Sequence, residues 1–101
     1  MPSVLRLAAL AAAVAAWPAP AALPPQYQRL AELRAVLENS GVAAALGGTP
    51  IDRVEFVRAD LYRVAAGRCH VDARIVDLPT PEGLVGPRRF GVRAGQRACA
   101  R

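Results

Sequence analysis

The sequence predicts an α+β fold: an N-terminal helix packed on a three- to four-stranded antiparallel sheet. Apolar residues recur at helical spacing between Gln26 and Glu38, and strand-like alternation fills stretches between Ile51 and Ala94. A pair of cysteines, Cys69 and Cys99, adds a third sign, because a domain this small needs a staple.

The chain opens on a segment with the design of a secretory leader. Arg6 charges its start, an apolar run extends from Leu7 to Trp17, and Pro18 and Pro20 interrupt it before small residues. As a helix that run would reach about 16 Å against a hydrocarbon core of about 30 Å, too short for an ordinary membrane span. Ala19, Pro20 and Ala21 suit a signal peptidase, which places cleavage before Ala22. The expected domains are therefore a signal peptide over 1–21 and a single α+β domain over 22–101. An uncleaved anchor or an Ala/Pro tail is the alternative.

Pro24 and Pro25 close the leader, after which Tyr27, Leu30, Leu33 and Leu37 fall on one side of a helix running to Glu38. Asn39, Ser40 and Gly41 either stop that helix or kink it, with Val42 to Leu46 continuing. Gly47, Gly48 and Pro50 then end helical structure. From Ile51 to Val57, Val54 and Phe56 alternate with Arg53 and Glu55, and Arg58 to Asp60 breaks the phase at a bulge or turn. Leu61 to Ala66 continues as strand, and Gly67 supplies a tight turn.

Arg68 to Val76 alternates most regularly, with Cys69, Val71, Ala73 and Ile75 on one face and Arg68, His70, Asp72 and Arg74 on the other. Leu78 to Pro87, rich in proline and glycine, reads as a loop before a last strand carrying Phe90, Val92 and Ala94. Setting Phe90 opposite Ile75 places Val92 opposite Ala73 and pairs Asp72 with Arg93. The same register puts Gln96 opposite Cys69, so a Cys69–Cys99 bridge requires a bulge near Gly95. Export would favour that bridge, which contributes on the order of 3 kcal/mol by closing its loop. A free thiol or an intermolecular bridge through Cys99 is the alternative.

The leader aside, the chain has one serine, Ser40, and one histidine, His70. Ser40 sits where a helix cap is expected, and Cys69 and His70, as strand neighbours, point to opposite faces. His70 and Asp72 share a face without a third ligand at metal-binding spacing. No catalytic residue, metal or cofactor is therefore assigned, and the chain is not expected to be an enzyme.

The 13 basic residues, all arginine, outnumber 8 acids. Arg68, Arg74, Arg89, Arg93 and Arg97 are candidates for one basic sheet face. For an exported protein the matching partners are an acidic protein or an anionic envelope component, and nucleic acid is not expected. The localisation implied is periplasmic or secreted.

The order of helix then antiparallel strands, with Tyr62-Arg63-Val64-Ala65-Ala66-Gly67 before a long alternating strand, resembles the cystatin architecture over about Gln26 to Ala94. Cystatins place a Gln-x-Val-x-Gly hairpin at this point. Arg63 to Gly67 matches it in its glycine and placement, with Arg63 in place of the Gln and Ala65 in place of the Val. The glycine of the cystatin N-terminal segment and the Pro-Trp second hairpin have no counterpart here. The first expectation is a small exported, non-enzymatic binding or accessory module making contacts through Arg63, Val64, Gly67, Arg68, Arg74, Arg89 and Arg93. The resemblance implies the alternative, a cysteine-peptidase inhibitor wedging its Arg63 to Gly67 hairpin into a cleft.

Overall fold

A computed structural model describes residues 22–83 and 85–101, an α+β unit of two short helices on one face of a five-stranded antiparallel sheet. The expected leader, residues 1–21, lies outside the described residues. The elements are α1 (Pro25–Glu38), α2 (Ser40–Ala45), β1 (Arg53–Arg58), β2 (Leu61–Ala66), β3 (Cys69–Asp77), β4 (Phe90–Ala94) and β5 (Ala98–Cys99).

Helix α1 begins with Pro25 at its first position, where a missing N–H costs nothing, and the Pro24 carbonyl accepts from the Tyr27 and Gln28 amides. Its orientation departs from the expected one. Glu32 and Val36 are buried and Leu33 packs against the core, whereas Tyr27, Leu30 and Leu37 are exposed, Tyr27 by 53%. At about 100° per residue Tyr27 and Val36 lie on opposite sides of the helix. The turn is fixed by Glu32, whose carboxylate accepts from the Tyr62 hydroxyl at 2.7 Å beneath the helix.

Asn39 makes the kink. Its extended backbone ends α1, and its side-chain oxygen caps α2 by accepting from the Val42 amide at 3.0 Å. The cap is thus Asn39, not the expected Ser40, and its amide group also donates to the Val92 carbonyl at 3.3 Å, tying the kink to β4. Gly47 and Gly48, both at positive φ, then reverse the chain while their amides return to the Ala44 and Ala43 carbonyls.

The sheet runs β1-β2-β3-β4, with β5 paired to β3 beyond the end of β4. Tyr62, Val64, Ala66, Val71, Ala73 and Ile75 face the helices and enclose Val36, Val42 and Leu46 in the core. Between β1 and β2 the pairing slips between Phe56 and Arg58, and Asp60 takes a positive φ, which is the expected phase break.

The β3–β4 register differs from the expected one by two residues: Val92 lies opposite Ile75, Ala94 opposite Ala73, and Arg93 opposite Arg74. A two-residue slip preserves which face each side chain occupies, so alternation alone does not exclude it. At Gly95 the chain stays in register, its amide donating to the Asp72 carbonyl at 2.8 Å. One residue is then gained before β5, and Cys99 arrives directly opposite Cys69. The two form the Cys69–Cys99 disulfide, and no described cysteine is free. No helix among the described residues is long and apolar enough to cross a membrane.

Candidate functional site on the open sheet face

Two polar clusters stand out, and they differ in how completely their charges are answered. The first lies at the seam of helix and sheet. Glu32, 6% exposed, accepts from Tyr62 and from the Gln28 side chain at 2.8 Å, and Arg88 approaches its carboxylate at 3.7 Å. Arg88 also donates to Asp60 at 2.8 Å and to Asp77 at 2.7 Å, pinning the end of the 78–89 loop to the β1–β2 turn and the end of β3. Those hydrogen bonds, Asp60 first, raise the guanidinium's pKa further. Burial, then the hydrogen bond to Glu32 and its charge, push the Tyr62 hydroxyl well above the usual phenol range. A hollow of about 210 Å³ beside it is lined by Glu32, Phe56 and Asp60, with the Arg29 guanidinium 3.6 Å from the centre of the Phe56 ring. Every carboxylate here has a close partner, so the cluster serves the packing of α1.

The second cluster covers the sheet face that the helices leave bare. On β2 and β3 that face carries Leu61, Arg63 and Ala65 beside His70, Asp72 and Arg74 in register. Arg53 and Glu55 extend it across β1, and Arg93 across β4. Arg63 and Asp72 are directly opposite and form two hydrogen bonds, at 2.8 and 3.2 Å. The expected Asp72–Arg93 pair is therefore replaced by Asp72–Arg63, because the register slip carries Arg93 past Asp72 to Arg74. The hydrogen bond from Arg63 holds the Asp72 carboxyl below the usual carboxylate range against the opposing cost of desolvation, helped by the charges of Arg63, His70 and Arg58.

One row on this face has no such neutralisation. Arg58, Leu61, Arg74 and Arg93 lie opposite one another across β1, β2, β3 and β4, a span of about 14 Å at ordinary strand spacing. Among the described residues none of these three arginines has a carboxylate within ion-pair distance. Leu61 is only 5% exposed although no helix covers it, and the aliphatic stems of Arg58 and Arg74 flank it in the register. Beside it opens a cavity of about 130 Å³ lined by Leu61, Asp72, Arg74, Arg93, Ala94 and Gly95.

The arginines nominated from the sequence divide between these settings. Arg74 and Arg93 are brought together, and Arg63 is present but held by Asp72. Arg68 is exposed in the β2–β3 turn and Arg89 is exposed just before β4, at opposite ends of the sheet. Arg97 does not join this face: its guanidinium packs by Gly47, at the end of α2. Val64 is fully buried in the core and has no surface with which to make a contact. Gly67, at positive φ, shapes the hairpin turn, and its amide donates to Asp52 at 2.7 Å.

Sequence reasoning missed Arg58, Leu61 and Gly95. Arg58 was legible only by counting through the bulge, and Gly95 only with the β4–β5 register in hand. No protein-family model, curated protein or solved structure matches the chain. The likeness to cystatins is therefore one of helix-then-sheet order alone.

Proposed function

We propose that the chain is an exported, non-enzymatic binding module that holds an anionic partner, an acidic protein or an anionic envelope component, against its open sheet face. The observation that carries this reading is the row of Arg58, Arg74 and Arg93, three guanidiniums without carboxylate partners among the described residues. Like charges directly opposite on neighbouring strands disfavour the sheet, and an anion laid across them removes that cost. The leader-like start of the sequence and the Cys69–Cys99 bridge support an oxidising, extracytoplasmic location.

The inhibitor reading has less support. With Val64 in the core and Arg63 held by Asp72, the hairpin is left with Gly67 and Arg68 for contacts.

Binding to dextran sulfate, with uncharged dextran as the control, tests the proposal. The protein is expected to bind the sulfated polymer, more weakly as salt rises, and to lose most of that affinity in the Arg74→Gln/Arg93→Gln variant. Equal binding by the variant and the parent would overturn it.

A further inference from the structure

Deepening the reading of the open face as a contact surface, and resting on it, we infer that the cavity beside Gly95 is a site for a small organic monocarboxylate. Its head group would lie between the guanidiniums of Arg74 and Arg93, and its hydrocarbon stem would rest on Leu61.

The cavity is a product of the backbone. Gly95 is the last residue before the chain shifts register to reach β5, its amide is held by the Asp72 carbonyl, and it contributes no side chain to fill the space. A Cβ at Gly95 would stand 3.2 Å from that carbonyl oxygen, closer than most such contacts. Glycine is therefore the residue this close backbone approach accepts, and the space beside it is left without a side chain. Its volume of about 130 Å³ is well below the roughly 300 Å³ at which pockets for drug-sized molecules begin, which matches one head group and a short stem.

The lining selects the chemistry. Arg74 and Arg93 lie opposite each other with no carboxylate within ion-pair distance, and a guanidinium presents paired N–H donors that fit the two oxygens of a carboxylate. Asp72 also lines the space, but its oxygens are committed to Arg63 and it stays ionised. That fixed negative charge opposes a dianion more strongly than a monoanion. Leu61 adds apolar side-chain surface that inorganic phosphate cannot use and a hydrocarbon stem can, while Ala94 lines the space with its backbone, its methyl group turned into the core.

The experiment is a titration of the full domain with hexanoate, followed by NMR at the Leu61 methyl groups and the Arg74 and Arg93 side-chain N–H groups. Inorganic phosphate and hexylammonium are run at matched ionic strength. Saturable millimolar binding of hexanoate centred on those groups is expected, with phosphate weaker by roughly tenfold and hexylammonium silent. The Arg93→Gln and Arg74→Gln variants, both at exposed positions, should each weaken hexanoate by at least several-fold. Gly95→Ala, which narrows the cavity while keeping both arginines, should weaken hexanoate yet leave dextran sulfate binding in place.

Absence of saturation with hexanoate, or equal affinity for phosphate, overturns the inference. If dextran sulfate still binds through Arg74 and Arg93 in that case, the face is a general anion surface and only the carboxylate site fails. If neither ligand binds, both readings fall.

Discussion

Replacing Tyr62 by Phe removes one oxygen and isolates the contact that sets the angle of α1. The hydroxyl is wholly buried and donates to Glu32 at 2.7 Å. The ring's edge contact with Phe56, centroids 5.7 Å apart, survives the substitution. A buried hydrogen bond to a charged acceptor contributes about 1.5–3 kcal/mol, and the carboxylate left behind retains only Gln28 and the more distant Arg88. The expected loss is therefore about 2–3 kcal/mol, against about 4–12 kcal/mol for a domain of this size. Guanidinium chloride unfolding of the two proteins at pH 8 measures it.

A second arm uses pH. The folded-state pKa of Tyr62 is raised, so its contribution is fully present below the ordinary phenol value of about 10 and declines as pH rises beyond it. The gap between the parent and Tyr62→Phe should narrow above pH 10. A loss under about 0.5 kcal/mol at pH 8 would show that Glu32 is not held as described.

Three further outcomes are expected. Replacing Cys69 and Cys99 by Ser should lower stability by about 3–4 kcal/mol in the same unfolding assay and release β5, seen as fast amide exchange at Ala100, whose N–H donates to the Arg68 carbonyl. Asp72, followed by carbon NMR of its carboxyl group, should titrate below the ordinary range and move up in Arg63→Ala; its lowered pKa means the stabilisation is present above the unfolded carboxylate value and is lost as pH falls through the folded one. The protein recovered from its host's envelope or medium should have a mass starting at Ala22 and take up alkylating agent only after reduction, and a full-length, freely alkylated product would contradict the proposed export.

The strands were legible because they are read locally. Val54 and Phe56, then Val71, Ala73 and Ile75, alternate with charged residues, and the glycines and prolines sit between them. What was not legible depends on partners distant in sequence. Tyr27, Leu30 and Leu37 suggest the wrong buried side for α1, because the contact that turns the helix joins Glu32 to Tyr62, thirty residues away. The β3–β4 register kept its faces but slipped by two, since alternation fixes parity and leaves the offset open.

The site inherits both effects. Arg74 and Arg93 were identifiable by face, but their direct opposition, the displacement of Asp72 onto Arg63, and the opening at Gly95 all follow from the offset and the bulge. Arg97, two residues past Gly95, fell within that irregular segment and turned to α2 instead.

Amide NMR shifts mapped on the parent protein as dextran sulfate is added would show directly whether an anionic partner lies along the arginine row. The largest changes are predicted at Arg58, Leu61, Arg74, Arg93 and Gly95, with Tyr27, Leu30 and Leu37 on the exposed side of α1 unmoved. Changes centred on α1, or on the Gly67 turn with the row silent, would contradict the account.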